Sequence, residues 1–189
     1  MTPLPLGILA LAGAGGGGGA FDLLETTTLT SSASSVTFSG LGAYSDYKHL
    51  QIRSITQQTG TAGNAPYAIR FNGDTGTNYA YHDINGDGAN PYSDSSSGDD
   101  LIRFTYGSQS QEVADAFAPQ IWDLLDFSSS SKNKTTRGLA GREFANANNT
   151  RITFGSGLWR NTDPVTSINI FPQESNWAAK SRFSLYGVK

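Results

Sequence analysis

Apolar residues in this chain recur at every second position, in short runs that turn-forming residues cut off. That period is decisive: successive side chains on a strand point to opposite faces, whereas an amphipathic helix needs apolar residues three and four apart. SVTFSG (35–40) sets Val36 and Phe38 on one face, and YKHLQIRSITQ (47–57) sets Leu50 and Ile52 inward. RITFGSGLW (151–159) gathers Ile152, Phe154, Ser156 and Leu158 on one side. Further strands are expected over 22–30, 67–72, 78–84, 101–106, 135–144, 165–171 and 182–188. Residues 116–127 read two ways. Ile121, Trp122, Leu124 and Leu125 could make a helical turn, but Pro119 and the surrounding strands favour a strand near a sheet edge. About ten strands and no sustained helix predict an all-β antiparallel sandwich of jelly-roll-like type.

Composition points the same way. Only 15% of the 189 residues are charged, and 22 Ser, 18 Thr, 12 Asn and 22 Gly take their place. Ser, Thr and Asn compete with the backbone for hydrogen bonds and Gly costs entropy, so helices are disfavoured and turns abound. A net charge of −3, with scattered Lys and Arg, leaves no basic track for nucleic acid. With no cysteine, neither disulfides nor thiolate metal sites can form.

Residues 1–20 (MTPLPLGILALAGAGGGGGA) stand apart from the rest, 21–189, which forms the sandwich domain. The apolar run is signal-like but lacks a basic start, and it is too short for the ~20 residues that cross a bilayer. Membrane insertion is therefore not expected. Five glycines, Gly15, Gly16, Gly17, Gly18 and Gly19, lose much entropy on ordering and have no side chains to pack. With Leu6, Ile8, Leu9 and Leu11 ahead of them, they read as a tether gripped by sister copies or a neighbouring protein.

Candidate chemistry is sparse. DINGDGANPYSD, Asp83 to Asp94, matches a calcium loop in placing Asp83, Asn85 and Asp87 at alternate positions, Gly88 at the sharp turn and Asp94 at the end. Against it stand the lack of flanking helices, Asp in place of the bidentate Glu, and Pro91 within the loop; an Asn/Gly/Asp-rich hairpin connection fits as well. Otherwise no cofactor is expected. His49 and His82 are the only histidines, at no metal-ligand spacing. There is no GxSxG; the GSG of 155–157 lies within an alternating run. Paired carboxylates could come only from Glu25, Glu112, Glu143, Glu174 and the aspartates, of which Asp99–Asp100 reads as a solvated turn. The expectation is a non-enzyme. Tyr79, Tyr81, Tyr92 and Tyr106 could stack on a sugar or anchor a partner, or lie half-buried in a sheet. Trp122, Trp159 and Trp177 read as core or subunit-interface residues.

The blocks FDLLETTTLTSSASSVTFSGL, YKHLQIR, IRFNGDTGTNYAYH, DLLDFSSSSKNKTTRGLAG and SRFSLYGVK, taken in order, resemble those of small structural virion proteins of tailed bacteriophages, notably phages of aquatic bacteria. The resemblance runs from about Phe21 to Lys189 and includes the Gly-rich leader. It implies a tail fibre or host-recognition element on the virion, as a homotrimer anchored by its leader to other virion proteins, with a host surface glycan as a possible target. A capsid decoration protein or head fibre has the same build. A carbohydrate-binding module or glycan hydrolase is the rival of another class.

Overall fold

A computed structural model describes residues 19–60, 66–104, 108–109, 115–143 and 150–189. Of the leader, Leu6, Ile8, Leu9, Leu11 and Gly15 to Gly18 lie outside the described residues; Gly19 opens them. The strands are β1 (Phe21–Thr28), β2 (Val36–Ser39), β3 (His49–Gln58), β4 (Tyr67–Phe71), β5 (Tyr79–Gly86), β6 (Pro91–Asp99) and β7 (Ile102–Phe104). They continue with β8 (Ser108–Gln109), β9 (Ala118–Leu125), β10 (Lys134–Arg142), β11 (Arg151–Trp159), β12 (Ser167–Pro172) and β13 (Arg182–Val188). A 3-10 turn, Leu41–Tyr44, follows Gly40, whose φ of 69° lies in the left-handed region that favours glycine.

The chain is an all-β antiparallel sandwich. One sheet runs β1-β13-β3-β9-β10-β11-β5-β6, with the two-residue β8 beside β3, and the other runs β2-β12-β4-β7. Setting aside the hairpins β5–β6 and β10–β11 and the short β8 leaves eight strands. These pair from the outside inward: β1 with β13, β2 with β12, β3 with β9, β4 with β7. That nesting is a jelly roll, one long hairpin wound into two sheets. The two inserted hairpins add their strands to one side of the larger sheet.

Alternation explains the interior. Val36 and Phe38 of β2, Ile168 and Ile170 of β12, and Tyr67, Ile69 and Phe71 of β4 face Leu50, Ile52, Trp122, Leu124, Phe183 and Leu185 across the sandwich, all buried. Polar ends of buried aromatics find partners, as they must. Trp159 Nε1 donates to Asp74 Oδ2 at 2.7 Å, and Trp122 Nε1 donates to the Tyr67 hydroxyl at 3.2 Å. Two glycines sit where no side chain fits. A Cβ on Gly157 would come within 2.5 Å of Ile102, and one on Gly187 within 2.5 Å of the Tyr47 ring.

Two expectations need correcting. Residues 118–125 form a strand, but β9 lies in the middle of the larger sheet, between β3 and β10, not near an edge. Pro119 is tolerated because it is the second residue of the strand, and the ladder to β10 stops one residue short of it, at Gln120–Ala140. Residues 91–99, where no strand is expected from the sequence, form β6, a solvent-facing edge strand of Ser and Asp that needs no apolar alternation. Ile152, Phe154, Ser156 and Leu158 share a face as expected, and that face is the outward one.

Candidate functional site

The inserted strands turn their apolar residues away from the core. Register places Ile84 (β5) beside Phe154 (β11), Phe154 beside Leu139 (β10), and Leu139 beside Ile121 (β9), a straight line across four strands. These side chains are 59%, 51%, 52% and 42% exposed, and Ile152, two residues from Phe154, is 62% exposed. The cause lies on the other side of the sheet. There β7 presses Ile102 against Gly157, so inward positions 153 to 157 of β11 hold only Thr153, Gly155 and Gly157 before Trp159 fills the core at the end of the strand, and over that stretch the bulk stands on the outward phase.

The face has relief. Ile152 is flanked on its neighbouring strands by Gly86 and Gly141, so Ile152 and Phe154 stand as a ridge along β11. On one side an open groove of about 690 Å³ runs over the β5–β6 hairpin, between Ile84, Pro91, Tyr92 and the ridge. On the other a groove of about 340 Å³ lies between Pro119, Ile121, Leu139, Gly141 and Ile152.

The hairpin tip is held by Asp87. Its Oδ1 accepts the backbone N–H of Ala89 (2.9 Å) and of Asn90 (2.7 Å), and its Oδ2 accepts the Tyr92 hydroxyl (2.8 Å). The backbone donors of Asn90 and Ala89, then Tyr92, pull the carboxyl down to about 2. Tyr92 is thereby laid along the groove with the Arg151 guanidinium 4.5 Å over its ring.

The other sequence candidates are dispersed. Residues 83–94 form the β5–β6 hairpin. Asp83 and Asn85 are buried on the inner face of β5 and Asp87 caps the turn; Asp94 pairs with Arg103. The four do not converge on one point, and among the described residues no group of three or more His, Asp or Glu could hold a metal ion. Tyr79 is fully buried and stacked on Trp159, ring centroids 6.2 Å apart, and burial pushes its hydroxyl up to about 12. Tyr81 is buried under the Arg103 guanidinium. Neither ring has a face free for a ligand, Tyr106 lies outside the described residues, and Tyr92 alone is open.

Trp122, Trp159 and Trp177 are all core. His49 accepts the Asp126 backbone N–H through Nδ1 at 3.0 Å, whereas His82 lies on the outer face beside Ser156. Asp100 is tied to Arg70, Asp99 caps the Asp100 N–H, Glu143 and Glu174 are exposed, and Glu112 lies outside the described residues. Among the described residues no helix is long and apolar enough to cross a membrane.

The apolar face was present in the sequence as an alternation, but its direction was not. Period two says which residues share a face and nothing about which way that face points. Compared with family models, curated proteins and solved structures, the chain matches none.

Proposed function

We propose that this chain is a non-catalytic structural protein of a tailed-phage virion. In this reading it is a tail fibre or host-recognition element, joined to other virion proteins through residues 1–20 and through its outer sheet face. The observation that carries an assembly role is the apolar line Ile84–Phe154–Leu139–Ile121 with Ile152 beside it. A domain that works alone rarely presents so continuous an apolar surface, because water contact with it favours association. The phage setting is supported by the resemblance of the sequence blocks between Phe21 and Lys189.

The test is incorporation. Particles assembled with a tagged chain lacking residues 1–20 should carry none of it, while the tagged full chain is recovered with purified particles. Full incorporation of the truncated chain would end the tether reading, and absence of the full chain from particles would end the virion reading. Immunogold labelling of the full chain separates a tail position from a capsid-decorating one. A glycan-binding reading has one observation in its favour, the open Tyr92 ring beside the larger groove. A glycan array probed with the full chain and with Tyr92→Ala tests it; no binding by the full chain removes the receptor role.

A further inference from the structure

We propose that the outer face of the inserted hairpins is a contact between copies of this chain, with the Ile152–Phe154 ridge of one copy seated in the groove beside Tyr92 of the next. The inference rests on reading that face as an assembly surface, and it names the partner. Shape is the first argument. A surface that binds itself must carry both knob and hole, since each copy supplies the same patch. Here the ridge and the groove lie side by side on three neighbouring strands, β11, β5 and β6.

Area is the second. Aromatic side chains bury on the order of 150–250 Å² each, and Ile and Leu somewhat less. Ile84, Tyr92, Ile121, Leu139, Ile152 and Phe154 stand roughly half exposed and so together offer about 500 Å². A standard interface takes about 800 Å² per partner, so the apolar patch and a polar rim suffice. Charge is the third. None of those six is charged; at the rim two opposite charges meet Tyr92, the Asp87 carboxylate on its hydroxyl at 2.8 Å and the Arg151 guanidinium 4.5 Å over its ring, and in the adjoining row Arg137 and Asp123 pair at 2.8 Å. A second copy therefore meets charges of both signs around an uncharged centre, with Arg53 in register beside Ile121 at its far end. The sheet edge is a poorer contact: β6 carries Pro91, which has no N–H to give a ladder, and otherwise Ser, Asp and Gly with the single aromatic Tyr92.

The absence of cysteine makes the test clean. The full chain should self-associate in sedimentation velocity over a micromolar concentration series. Phe154→Asp should weaken that association at least tenfold while leaving circular dichroism unchanged and urea unfolding cooperative, since Phe154 is half exposed and outside the buried cluster. As a second readout, Ile152→Cys treated with a short bis-maleimide should give cross-linked copies. Thr37→Cys, on the outer face of the smaller sheet, should give none. A full chain that stays monomeric, or self-association indifferent to Phe154→Asp, overturns the proposal. So does a monomer that associates only after residues 1–18 are removed, which would make the chain's own leader the occupant. Each of these results leaves the incorporation test of the virion reading untouched.

Discussion

Asp87 decides the shape of the groove, because one carboxylate holds the turn, the following backbone and the Tyr92 ring together. Its charge is what those donors recognise, so the arrangement depends on pH in a definite sense. The folded value, about 2, lies below the ordinary ~3.9 of a free aspartate. The contribution of the ionised form is therefore complete above pH ~4 and is lost as pH falls through about 2. A carboxyl-carbon NMR titration should find the Asp87 midpoint near 2, and Tyr92→Phe should raise it by removing one donor. A wild-type midpoint near the ordinary ~3.9 would mean that the tip is not held this way. The same substitution should leave the fold intact, since Tyr92 is 42% exposed and outside the core.

Among the elements, β11 is the one whose two faces serve different ends. Its inward side must be thin where β7 crosses it, and its outward side carries the ridge. Gly157→Ala tests the first half. The new methyl would meet Ile102 side-chain atoms at 2.5 and 2.8 Å and Thr136 Oγ1 at 2.6 Å, so strands must part or rotamers strain. We expect a loss of about 1–3 kcal/mol in urea unfolding, the usual cost of overpacking, and a change under ~0.5 kcal/mol would show that the sheets are not so close. The same strand shows what a sequence alone can yield. Its period and limits, Arg151–Trp159, were legible because Ile152, Phe154 and Leu158 alternate with small residues. The side facing the core was not, because that depends on a neighbour, Ile102, more than fifty residues away in the chain. β6 escaped notice for a related reason: an edge strand open to water needs no apolar residues, so PYSDSSSGD raises no expectation of a strand. Pro119 misled about β9, since its cost depends on whether its position owes a ladder bond, and that follows from register rather than residue type. The chemistry of the candidate site fared likewise. Residues 83–94 showed a hairpin in their Gly and Asn, but the burial of Tyr79 and Tyr81 followed from the stacking partner Trp159 and the covering Arg103.

At the scale of the whole molecule the winding sets an order of events. The last strand, β13, lies between β1 and β3 and bonds to both, so the larger sheet is not continuous until the C-terminal residues arrive. Phe183 and Leu185 of that strand are buried in the core, and Lys189 pairs with Asp22 at 2.9 Å, across the same seam that Tyr47 closes over Gly187. Losing two buried side chains of this size costs about 2–5 kcal/mol each, which by itself approaches the ~5–15 kcal/mol that holds a typical domain together. The broken ladders on either side add to that. Deleting residues 182–189 should therefore abolish cooperative unfolding by urea, whereas deleting residues 1–18 should leave the midpoint within error of the full chain. A cooperative transition in the C-terminal deletion would show that β1 and β3 can close the sheet without β13. If the deletions behave as expected, β1 cannot pair until β13 has been made. The core between the two sheets then becomes complete only once β13 has joined, and the contact proposed between copies would follow folding rather than accompany it.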